Sequence, residues 1–105
     1  KLSLPLPSIA IDWESKSADF TAVAGKAYFC DTSSDTIDVT LPSPTIGDTI
    51  RFLDATGTFF TSNLTILYGS SKIQGDSANL IVSTARAGFA LIYYNSTQGW
   101  LLKDK

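Results

Sequence analysis

Apolar and polar residues alternate with period two along much of this chain, most regularly in Thr36-Ile37-Asp38-Val39-Thr40-Leu41-Pro42. Ile37, Val39 and Leu41 fall on one side of an extended backbone, and Thr36, Asp38 and Thr40 on the other. Such a stretch predicts a half-buried strand. Pro42 and Pro44 end it, because proline donates no backbone hydrogen bond and biases its predecessor towards extended geometry. Gly47-Asp48 turns the chain into a second run, Thr49-Ile50-Arg51-Phe52-Leu53-Asp54. Further strands are expected at Ala27–Asp31, Leu64–Tyr68, Lys72–Gln74, Leu80–Val82 and Phe89–Tyr94. Asn95–Gly99 forms a hairpin loop from which Trp100-Leu101-Leu102 returns antiparallel. Between them lie polar turns, Thr32-Ser33-Ser34-Asp35 and Gly69-Ser70-Ser71 among them, plus a loop at Asp54–Thr58 whose Gly57 takes positive φ. Phe59-Phe60 follows as a loop with one buried ring.

The N-terminal segment has a different rhythm. Leu2, Leu4 and Leu6 alternate with Ser3 and Pro5. After Pro7-Ser8 the parity shifts, and Ile9, Ile11 and Trp13 continue it. Two prolines exclude a central strand. Residues 1–19 therefore read as an extended arm, with Glu14–Asp19 as a polar linker, and residues 20–105 as the β-domain. An arm with one apolar stripe needs a surface to cover it, on its own domain or on a neighbouring copy. No window carries apolar residues at helical spacing, and helix formers are scarce: Glu14 is the single glutamate and there is no methionine. The expected fold is all-β, an antiparallel β-sandwich or β-prism-like domain of short strands.

Charge and composition mainly exclude. The formal net charge is −2, and the basic residues are scattered, so the cationic stripe that nucleic acid requires is missing. No apolar run reaches the ~20 residues of a helical membrane span, so no membrane insertion is expected. The first residue is lysine, and the chain reads as an excised piece of something larger. Cys30 stands alone and makes no internal disulfide. Without a histidine in the chain to activate it, it reads as a small buried hydrophobe.

Taken in order, a strand ending at Asp31-Thr32, then Ile37–Pro42, Gly47-Asp48-Thr49-Ile50 with Phe52 and Asp54, Asn63-Leu64-Thr65-Ile66, Ile73-Gln74-Gly75, Leu91–Tyr94 and Gly99-Trp100 resemble a small β-domain of tail-fibre and baseplate proteins of tailed bacteriophages. The resemblance covers Phe20 to about Leu102. It implies a structural bead in a virion tail appendage, usually trimeric, whose partners are its own copies and neighbouring virion tail proteins. Some terminal members of such fibres bind host glycans or proteins, which gives the alternative reading, a host-surface glycan- or protein-binding module.

Candidate site residues follow from these two readings. For subunit contact they are Leu4, Leu6, Ile9, Ile11 and Trp13 of the arm, with one of Tyr93 and Tyr94. Adjacent strand residues point to opposite faces, so one of the two tyrosines leaves the core for solvent, a ligand or another subunit. For ligand contact they are Asn95, Thr97 and Gln98 with the ring of Trp100, because aromatic rings and loop amides suit sugars. An enzyme is not expected. Asp31 and Asp35 bracket a turn where aspartate is common, Asp38 shares the polar side with Thr36 and Thr40, and no acid–base pair fit for a glycosidase emerges. Asp31–Asp35 lacks the ligand spacing of a calcium loop. No phosphate loop, metal-spaced cluster or Ser-His-Asp set is present, so no cofactor is expected. Asn63-Leu64-Thr65 and Asn95-Ser96-Thr97 match the glycosylation pattern by chance.

Overall fold

Short polar turns leave no room for helices between parallel neighbours, and the chain solves this by passing back and forth between two sheets. The computed structural model describes residues 11–104. Its strands are β1 (Asp12–Lys16), β2 (Phe20–Thr21), β3 (Lys26–Cys30), β4 (Ile37–Thr40), β5 (Thr49–Asp54), β6 (Leu64–Leu67), β7 (Leu80–Val82), β8 (Gly88–Asn95) and β9 (Gly99–Lys103). They form a five-stranded sheet in the order β1-β3-β5-β8-β9 and a four-stranded sheet in the order β2-β4-β6-β7. The expected all-β sandwich is what forms, and no helix occurs among the described residues.

The sheets are mixed rather than antiparallel throughout. β1, β3 and β5 run parallel, as do β2, β4 and β6. Antiparallel pairing is confined to β5–β8, β8–β9 and β6–β7. The cause is the alternation between sheets. A strand followed by a return path in the opposite layer re-enters its own sheet in the direction it left.

The inner parity of each strand builds the core. Ile37 and Val39 of β4 and Leu64 and Ile66 of β6 are fully buried and meet Tyr28, Cys30, Ile50, Phe52 and Leu91 of the other sheet. Phe52 stacks between Tyr28 and Phe89, with ring centroids 6.1 and 5.3 Å away. Offset stacking of this kind adds about 0.5–1.5 kcal/mol per pair to the area buried. Phe59 is buried and Phe60 exposed, and Gly57 takes φ +72°.

Two segments depart from expectation. Lys72–Gln74 is not a strand; Ile73 makes single bridges to Asp76 and Trp100 only. And the described part of the arm lies on its own domain: β1 pairs with β3 from Asp12↔Lys26 to Lys16↔Cys30. Its last three residues, Glu14-Ser15-Lys16, fall within the stretch expected to be polar linker, while Trp13 belongs to the expected apolar stripe. Ion pairs from Lys26 to Asp12 and Glu14, and from Lys16 to Glu14, line its polar side. They hold the Glu14 carboxyl below its usual range, through Lys16 first and Lys26 second, and raise Lys26. The expected boundary between residues 19 and 20 thus separates β1 from the sheet it completes.

Gly99 is the one glycine whose missing side chain the fold requires. Its φ is +73°, and a Cβ there meets the Lys72 carbonyl oxygen at 1.8 Å. That approach lets the Trp100 N–H donate to Lys72 O at 2.8 Å.

Candidate interaction surface

The outward parity differs between the layers. On the five-stranded sheet it presents Trp13 of β1, Phe29 of β3, Leu53 of β5, Ile92 of β8 and Leu101 of β9, as the registers Trp13↔Ala27, Phe29↔Leu53 and Ile92↔Leu101 place them. Trp13 and Phe29 are 39% and 37% exposed and stack on each other, with centroids 4.6 Å apart and planes at 22°. Ala27 and Ala90 lie low between these rings and chains, both buried. Arg51, in register with both alanines, supplies a cation in the middle of the face. Beside it is a shallow depression of about 250 Å³ lined by Trp13, Arg51, Leu53, Gly88, Ala90 and Asp104. On the four-stranded sheet the same parity presents Thr21, Asp38 and Thr40, all exposed, with Thr65, and the aliphatic Leu67 and Ile81 interrupt the polar pattern.

Leu4, Leu6 and Ile9 of the expected contact set lie outside the described residues. Ile11 and Trp13 are exposed at the β1 edge. Of the two tyrosines, Tyr94 turns outward, 52% exposed, at a bulge in β8. Tyr93 is half-buried against the core, its ring edge-on to Trp100 at 5.5 Å. Two strands, β3 and β5, separate β1 from β8, so Trp13 and Tyr94 do not touch.

The ligand set comes apart. Trp100 is fully buried, so its ring belongs to the core and cannot stack on a ligand. Its Nε1 has no hydrogen-bond partner. Asn95, Thr97 and Gln98 do sit together at the β8–β9 hairpin, but the Asn95 Oδ1 is engaged there, accepting the N–H of Thr97 at 3.0 Å and of Gln98 at 2.8 Å. Thr97 and Gln98 are exposed.

The acidic residues hold turns. Asp31 Oδ1 accepts from Ser33 through both its hydroxyl and its N–H, and these bonds hold the carboxyl below its usual range. Asp35 accepts the Thr36 N–H at 2.7 Å. Asp38 is exposed on the polar side of β4, as its parity implies. Among the described residues no three His, Cys, Asp or Glu side chains converge as a metal site would need.

The polar group that organises the molecule is one that sequence reasoning passed over as a mere motif residue. Asp54 closes β5 on the inward parity and is 1% exposed. Its Oδ1 accepts the N–H groups of Gly57 and Thr58, and its Oδ2 those of Phe59 and Arg86, at 2.8–3.1 Å. Burial alone raises an aspartate; here four backbone donors, Arg86 foremost, outweigh it and hold the carboxyl below its ordinary value. The signal was available: Ile50, Phe52 and Asp54 share a parity, and a glycine follows three residues on. Nearby, burial and then the Asp54 charge push the Cys30 thiol up to about 12, which keeps it protonated and unreactive.

Comparison with known proteins adds one match. The model of a family described as "Bacteriophage T4 gp9/10-like protein, N-terminal" matches residues 11–99, from the residue before β1 to the first residue of β9. No curated protein matches the chain.

Proposed function

We propose, from the premise that the chain belongs to the bacteriophage T4 gp9/10-like N-terminal family, that this domain assembles three copies of its parent protein in a tail fibre or baseplate. Membership makes the chain a phage structural module. The finer reading is that three copies meet through the outer face of the five-stranded sheet, within a virion tail appendage, and that neighbouring tail proteins attach to the assembly. The observation that carries it is the stacked Trp13–Phe29 pair on a face continued by Leu53, Ile92 and Leu101. Aromatic rings on a surface sheet are costly to leave in water and typical of contact centres. Cyclic closure leaves no apolar surface open to further growth. No catalytic role is part of this reading, since the buried acid and the buried thiol are both engaged in structure.

Light scattering tests it. The chain should have the mass of a trimer, and Trp13→Asp with Phe29→Asp should reduce it to a folded monomer. Deleting residues 1–10 measures the share of Leu4, Leu6 and Ile9 while sparing β1. A monomeric parent chain overturns the proposal. The alternative, a host-binding module, keeps Tyr94 beside the exposed Thr97 and Gln98 in its favour. Glycan binding lost in Tyr94→Ala, with the fold intact, would favour it.

A further inference from the structure

We infer that the domain is a load-bearing link, built to resist tension applied between the chain that enters β1 and the chain that leaves β9. The inference rests on the reading as a structural module only for its purpose. Its geometry is independent of oligomeric state.

β1 and β9 occupy opposite edges of the five-stranded sheet. β1, β3 and β5 run parallel, and the pairings β5–β8 and β8–β9 are antiparallel. Two reversals restore the original direction, so β9 runs parallel to β1. The chain enters at one end of the sheet and leaves at the other. A pull on both sides therefore draws β1 and β9 lengthwise in opposite directions. The hydrogen bonds between strands lie across that pull, and each ladder is loaded in shear. No single bond can give way before its neighbours, because sliding one strand past another strains the whole row at once. A hairpin pulled open from its free end fails differently, one pair after another.

The two strands that take the load directly are each restrained by more than a ladder alone. β1 is held to β3 along its whole length, by the Trp13–Phe29 stack on one side, by the Lys26 ion pairs on the other, and by the Asp31 N–H donating to Lys16 O where β1 ends. β9 is nominally an edge, yet it is bonded on both sides. β8 flanks one side. Along the other, the Trp100 N–H donates to Lys72 O and the Gln74 N–H to Trp100 O, both at 2.8 Å, and the Leu102 N–H donates to Gln74 Oε1 at 3.0 Å. Gln74 holds a left-handed φ of +53° to do this. The segment 72–76, too short to be a strand, works as a clamp on β9.

Single-molecule pulling along two axes tests the inference. On the first axis the handles are fused to the two ends of the chain. On the second they are attached to thiols in an Ala85→Cys, Asp104→Cys variant, which peels β9 from β8 at the Ala90↔Lys103 end; Cys30 is buried and does not compete for the label. The first axis should fail in a single whole-domain step at a force several-fold above the second, since forced unfolding follows the barrier on the pulled path. Gln74→Ala should lower the first force while leaving the circular dichroism spectrum unchanged. Equal forces on both axes, or an early short step in which β1 or β9 detaches alone, overturns the inference. A trimer that fails to form leaves this result untouched, and a weak link leaves the trimer untouched.

Discussion

The two sheets share one core yet face outward in different languages. β4 buries Ile37 and Val39 and shows Asp38 and Thr40. β3 buries Tyr28 and Cys30 and shows Phe29, while β5 buries Ile50, Phe52 and Asp54 and half-covers Leu53. The inward residues are equivalent, because both layers must fill the same space. The outward residues are under no such demand, so their chemistry reports what each layer meets. Threonine and aspartate on the four-stranded sheet suit water. Stacked rings and aliphatic chains on the five-stranded sheet suit protein. Outward parity is thus the more informative half of a strand for function, and inward parity the more informative half for stability.

That division can be broken in three places. The largest effect should come from the inward side: Trp100→Ala removes the largest fully buried side chain and should destabilise by about 3–5 kcal/mol, measured by urea or thermal unfolding. If the variant stays folded with unchanged stability, Trp100 is not core. Next comes the inward polar group. Asp54→Asn keeps the shape but discards the charge that four N–H groups point towards, and should cost about 1.5–3 kcal/mol. The same group sets an acid limit. Its folded pKa lies below the ordinary aspartate value of 3.8, so the stability it adds is complete at neutral pH and is lost as pH falls below that value towards the folded one. The parent chain should therefore weaken in acid more steeply than Asp54→Asn does. The smallest effect belongs to the polar outer face. Thr40→Lys should change stability by no more than about 0.5 kcal/mol and leave the mass in solution as it was, where the aspartates at Trp13 and Phe29 change the mass. A Thr40→Lys variant that dissociates would put the contact on the wrong sheet.

Much of this was legible in the residues, and the rest had physical reasons to be hidden. Alternation located β4, β5 and β6 because a period of two reports burial on one side directly, while β3 and β7 to β9 were legible as short apolar runs between turn signals. It could not report partners. Ile37-Asp38-Val39-Thr40 reads the same whether its neighbour runs parallel or antiparallel, which is why the mixed sheets came as a correction. β1 escaped because its edge position is secured by charge on Glu14, Lys16 and Lys26, and charge mimics a linker. Tyr93 and Tyr94 announced that one must leave the core. Choosing Tyr94, and burying Trp100, needed the hairpin register Tyr93↔Trp100, which no single strand contains. Asp54 was hidden by the habit of treating polar residues as outward.

The passage of the chain between layers also has a temporal side. None of β1 to β5 pairs with the strand next to it in sequence; such local pairs occur only at β6–β7 and β8–β9. Within this domain a ribosome therefore delivers β1 to β5, which own no hairpin, before the strands that do. Every ladder there closes a loop containing a strand of the other layer, and that closure must be met before any contact rewards it. The cheapest nucleus is the pair with the shortest loop, β8–β9 around Asn95–Gly99. Folding of this domain is therefore expected to start at the β8–β9 hairpin and to reach the β1–β3 ladder late.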